Sequence, residues 1–107
     1  MNIISNDPVN CEKALAGLYR VYDPEIGLNV VDLGLIYQID FLDDENGIEA
    51  TMTLTTRFCP MGESITNNVT QSLSNTFADF QVHVNLVFDP PWNANRISER
   101  GRQFLNR

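Results

Sequence analysis

The stretch LIYQIDFLDDENGIEATMTLT (Leu35–Thr55) decides how this chain is read. Leu35, Tyr37, Ile39 and Phe41 recur at every second position, the period of a strand with one apolar face. A polar tract follows, in which Asn46-Gly47 suits the positive backbone angles of a tight turn. The alternation then resumes, with Ala50, Met52 and Leu54 interleaved with Thr51, Thr53 and Thr55. An antiparallel hairpin is expected, apolar on one side and lined with threonine on the other.

Helical periods flank the hairpin. On the N-terminal side, Asp7 can cap a helix that Pro8 opens, since the first turn does not need the missing N–H. Cys11, Leu15, Leu18 and Tyr22 then form one stripe, and Asp23-Pro24 would stop it. On the C-terminal side, Met61, Ile65, Val69, Leu73 and Phe77 make a second stripe. Thr, Asn and Ser dominate that helix and form helices weakly, so packing of the stripe must hold it. Val82, Val84, Leu86 and Phe88 predict a third strand, ended by Asp89-Pro90-Pro91-Trp92, and a last helix is expected over about Ile97–Leu105 after a cap at Asn95. The order is α-β-β-α-β-α in one domain spanning residues 1–107. The fold class is therefore α+β, a two-layer sandwich with a three-stranded mixed sheet and helices on one face. A helix separates the third strand from the hairpin, so the third strand should pair in parallel.

Composition narrows the function. Apolar residues make up 43% and charged residues 20%, ordinary for a globular chain able to bury a core unaided. A net charge of -7 opposes non-specific binding to nucleic acid. The N-terminal MNIISNDPVN lacks the basic and apolar regions of a signal peptide, and no apolar run is long enough to span a membrane. A cytoplasmic setting with free thiols is expected. Asp43, Asp44 and Glu45 form an acidic cluster, and Arg96, Arg100, Arg102 and Arg107 a basic one. Each is read as a solvated surface or as a docking patch for a protein.

Of the two cysteines, Cys59 carries the chemistry. It precedes Pro60 where the second helix should begin, so its thiol would sit near free helix amides, which favour the thiolate. Arg57 could assist. The alternative is a small buried hydrophobe. Cys11 lies on a core stripe and is read as structural, and His83 is read as a surface residue. Iron–sulfur clusters and structural zinc usually take four protein ligands, so one chain cannot close such a site alone. Asp23, Glu25 and Asp32 could act as ligands or acid/base groups, or form turn hydrogen bonds beside Pro24, Gly27 and Gly34. Pro91 and Trp92 serve either as a rigid loop anchor or as a partner contact.

Three segments, DPEIGLNVVDLGLIY (Asp23–Tyr37), MTLTTRFCP (Met52–Pro60) and VFDPPW (Val87–Trp92), together resemble the SufT/PaaD-like iron–sulfur assembly family, also found in the eukaryotic cytosolic iron–sulfur targeting complex. The resemblance runs over roughly the whole chain. It implies an α/β sandwich and a role in maturing iron–sulfur proteins. Its functional positions map to Asp23, Pro24, Glu25, Asp32, Thr53, Thr55, Cys59 and the Asp89–Trp92 motif. It further implies a transient iron–sulfur cluster shared with a partner or a second subunit, with Cys59 as its transient metal ligand. The implied partners are iron–sulfur carriers or client apo-proteins, and a homodimer stays open. Phe58 stands where the family often has glycine, which would narrow access to Cys59. The chain ends without the cysteine-rich extension common in PaaD-type members, which favours the SufT-like branch. An accessory role in phenylacetate-type aromatic degradation and a thiol-dependent enzyme are the alternatives; a non-enzyme is expected.

Overall fold

The computed structural model describes residues 3–42, 46–57 and 60–106. The hairpin forms as expected: β4 (Ile36–Leu42) pairs antiparallel with β5 (Gly47–Met52), and Asn46 takes the positive φ of 48° at the turn. β6 (Gln81–Leu86) joins β5 in parallel. The sheet has four strands rather than three, in the order β1-β4-β5-β6. The extra strand is β1 (Ile4–Ser5), two residues parallel to β4. A separate antiparallel ribbon pairs β2 (Tyr22–Asp23) with β3 (Leu28–Asn29).

The alternation in β4 does not run through unbroken. Ile36 pairs with Met52 and Gln38 with Thr51, so Tyr37 is the extra residue of a bulge. The bulge turns Ile36 into the core beside Ile39 and Phe41 and leaves Tyr37 only half-buried, correcting the expected stripe. One face of the sheet carries Ile39, Phe41, Ile48, Ala50 and Met52, all buried. The other carries Gln38, Asp40, Glu49, Thr51, His83 and Asn85, with Asn85 donating to Glu49 at 2.7 Å. β5 ends at Met52, and Thr53 beyond it is fully buried rather than on an outer face.

Helix α1 (Pro8–Leu18) starts as read, with the Asp7 carboxylate accepting from Asn10 N at 3.2 Å. It buries Cys11, Ala14 and Leu18, and ends four residues before the expected stop. Bonds from Arg20 N to Gly17 O and from Val21 N to Leu18 O tighten its last turn, and Tyr22 leaves for the ribbon, 54% exposed. Helix α2 (Gly62–Thr76) buries Ile65, Val69 and Leu73. Each such side chain contributes about 1.5–3 kcal/mol, enough to offset weak helix formers. Gly17 lets α1 and α2 touch: a Cβ there would lie 2.8 Å from Ser72 Oγ. Phe41, Phe77 and Phe80 pack edge to face at the C-terminal end of β4. A 3-10 turn (Ala94–Arg96) leads to α3 (Glu99–Leu105), which is capped by Ser98, not Asn95. No helix among the described residues is long and apolar enough to cross a membrane.

Candidate functional site

The three motif segments are far apart in sequence and meet at the end of the sheet where β5 and β6 finish and β4 begins. Val87 N donates to Met52 O at 2.9 Å, and Thr53 N to Leu35 O at 2.9 Å. Tyr37 Oη donates to Pro90 O at 2.9 Å, and Trp92 Nε1 to Leu33 O at 2.7 Å. The Arg57 guanidinium lies over the Phe88 ring, 4.9 Å from its centroid, so a cation and an aromatic stack link the second segment to the third. Arg96 stacks on Tyr37 at 4.1 Å and donates to Gly34 O at 2.9 Å. Trp92 is half-buried and anchors the loop, while Pro91 is exposed beside it.

Cys59 and Phe58 lie outside the described residues. Their neighbours Arg57 and Pro60 are both exposed, and Thr55 is half-buried. The first helical residue is Gly62 and the cap is Met61, which supplies no side-chain hydrogen bond. Pro60 therefore precedes the helix rather than opening it, and Cys59 stands two positions before the cap.

The acids separate into two settings. Asp23 is buried in the ribbon, where its Oδ1 accepts from Glu25 N at 2.9 Å and its carbonyl from Gly27 N at 2.7 Å. The Glu25 side chain is exposed. Asp32 is also buried, but it is a crossing point. Oδ2 accepts from Asn29 Nδ2 at 2.6 Å and from Arg100 Nη2 at 2.9 Å, and Oδ1 accepts from Ser98 Oγ at 2.7 Å. Ser98 N in turn donates to Asp32 O at 2.8 Å. Burial alone would raise the Asp32 pKa; the bonds from Asn29, Ser98 and Arg100, with the Arg100 charge, outweigh it and hold the carboxyl below its ordinary value. Its lone pairs serve the fold. Much of the basic C-terminal cluster has internal partners too: Arg96 on Tyr37, Arg100 on Asp32, and Arg102 on Asn95 O.

Asp23, Glu25 and Asp32 do not converge: among the described residues no three His, Cys, Asp or Glu side chains gather as a metal-binding group. Cys11 is buried, and burial raises its thiol pKa, opposed in part by a hydrogen bond with Ser5. It is a core residue. His83 is exposed on the polar face. Sequence reading missed Asn29 and Ser98, and read Arg100 as part of a solvated surface or docking patch rather than as a partner of Asp32. The Asn29–Asp32 spacing hinted at a local turn bond, but nothing local ties either residue to the last helix.

Residues 12–86 match the family described as iron–sulfur cluster assembly protein. The iron–sulfur protein maturation auxiliary factor YitW of Bacillus subtilis is 36% identical over 88 residues, covering 81% of this chain and 84% of that protein. The auxiliary factor SufT of Staphylococcus aureus is 40% identical over 78 residues, covering 73% and 88%. A crystal structure of a domain of unknown function from Bacillus anthracis superposes with a TM-score of 0.82 at 36% identity, over 89% of this chain and 90% of that one. With more than half its length matched and its fold shared, this chain belongs to the iron–sulfur cluster assembly protein family, on its SufT-like side.

Proposed function

We propose that this chain matures iron–sulfur proteins as a non-catalytic carrier or adaptor, with Cys59 as a transient ligand to a cluster in transit. The observation that carries the reading is the convergence of all three motif segments on one end of the sheet, with exposed residues on both sides of Cys59. The names of the relatives support the maturation role. The donor set supports a shared cluster. Cys11 is buried, the Asp32 carboxylate is already engaged, and clusters usually take four ligands. One chain would then offer a single thiolate, and a carrier or client protein the rest. Met61, Pro91 and Trp92 stand on the segments around this end and are the contacts such a partner would meet.

The test is anaerobic incubation with iron and sulfide, comparing the natural chain with Cys59→Ser by absorbance and metal content. The variant should fold and lose most of the bound iron, and cells carrying it should show severalfold lower iron–sulfur enzyme activities. Equal iron in both proteins would remove Cys59 as a ligand, and normal enzyme activities would remove the maturation role.

A further inference from the structure

β6 is an outer strand, and among the described residues no strand pairs with its free side. Two bonds fix how its backbone is turned: Gln81 N donates to Asn46 O at 2.8 Å and Val87 N to Met52 O at 2.9 Å. The odd-numbered residues thus aim their amides and carbonyls at β5. Backbone polar groups alternate sides along a strand, so Val82, Val84 and Leu86 aim theirs outward. The side chains of the same three residues stand beside Ile48, Ala50 and Met52 on the apolar face. They are only partly covered, Leu86 being 42% exposed.

This edge is complementary to itself. With a second copy laid antiparallel so that Val84 faces Val84, Val82 faces Leu86 and Leu86 faces Val82. These are the residues whose outward N–H and C=O groups can exchange two bonds per facing pair. Between them His83 faces Asn85 on the polar side. A slip of one residue would set outward groups against inward ones and apolar side chains against polar ones. The strand QVHVNL contains no Asp, Glu, Lys, Arg or Pro, so the devices that usually keep edges apart are missing.

The helix above the edge fits as well. α1 packs on the flank of α2 that carries Ser72 and Thr76. By helical spacing Thr66 and Thr70 lie on the other flank of the buried stripe, and α2 also packs on β6. Their hydroxyls donate within the helix, to Glu63 O and Thr66 O at 2.9 Å each, and neither residue carries charge. Glu63 shares that flank at its first turn, and the antiparallel arrangement sets it away from its own copy, beside the last turn of the facing α2.

We propose that β6 is the isologous interface of a homodimer, two copies pairing antiparallel about Val84 into one continuous sheet. β6 runs toward the end where the motif segments meet, so the antiparallel arrangement sets the two candidate sites at opposite ends of the interface. The two ends where the motif segments meet therefore stand apart, and each faces its own partner. This inference is independent of the maturation role.

Sedimentation velocity of the full chain from micromolar to millimolar concentration should show a reversible dimer. Val84→Lys sets two ammonium groups face to face and should weaken association at least about tenfold, with circular dichroism confirming the fold. Val84→Cys, in a Cys59→Ser background, should form a disulfide-linked dimer when diamide takes up the two protons and two electrons, because facing Cα atoms would be about 5.5 Å apart. Glu49→Cys, roughly 16 Å from its copy, should not. A chain that stays monomeric at millimolar concentration overturns the proposal. So does a folded Val84→Lys variant that dimerises as tightly as the natural chain, or a dimer in which Val84→Cys fails to cross-link. If Val84→Lys does not fold, the cross-linking result decides.

Discussion

Helices α3 and α2 begin in opposite ways. At the start of α3, Ser98 Oγ accepts from Gly101 N at 3.0 Å and donates to Asp32, which is itself bonded to Asn29 and Arg100. At the start of α2, Met61 makes no side-chain capping bond, and the helix buries Ile65, Val69 and Leu73. One start is locked by polar side chains from a distant loop. The other receives no side-chain bond from its own cap residue. The contrast places the satisfaction of buried polar groups at the start of α3, where Asp32, Asn29 and Ser98 bond one another.

Asp32→Ala should break the contrast most strongly. It strands the Asn29 amide and the Ser98 hydroxyl, and should cost about 3 kcal/mol in urea unfolding and lower the melting temperature by roughly 10 °C or more. A loss below about 1 kcal/mol would mean that the crossing point does not hold α3. Acid should erode the same contribution more gradually. A carboxyl whose folded pKa lies below its unfolded value stabilises fully above the unfolded value and loses that contribution as pH falls through the folded one. The melting-temperature gap between the natural chain and Asp32→Asn should be constant above about pH 5 and narrow below about pH 4. A gap that holds unchanged down to pH 2 would show that the charge is not what matters. The smallest effect comes from giving α2 the cap it lacks. Met61→Ser should add about 0.5–1 kcal/mol, read as a rise of a few degrees in melting temperature.

The hairpin, both long helices and the parallel third strand were legible because each rests on local periodicity. β1 was not: two residues in MNIISN carry no period, and their pairing partner lies more than thirty positions away. The end of α1 was misplaced because Tyr22 continues the helical spacing while the backbone has already turned. Asn95 and Ser98 are both good caps, and only tertiary contact with Asp32 selects Ser98. In the candidate site, the motif segments identified which stretches come together. The roles within them divided along lines that spacing cannot show, since the Asp32 carboxylate is engaged by residues 66 and 68 positions later.

The bulge at Tyr37 makes the length of one short stretch non-negotiable. Between Leu35 and Ile39 the chain contains one residue more than its partner strand, and that surplus decides which side chains look inward on everything before it. Strict alternation without the bulge would set Tyr37 against Met52, rotate Ile36 out to water and break the reach of the tyrosine to the proline loop. Natural length variation in relatives should therefore gather at the hairpin turn and be rare in this stretch.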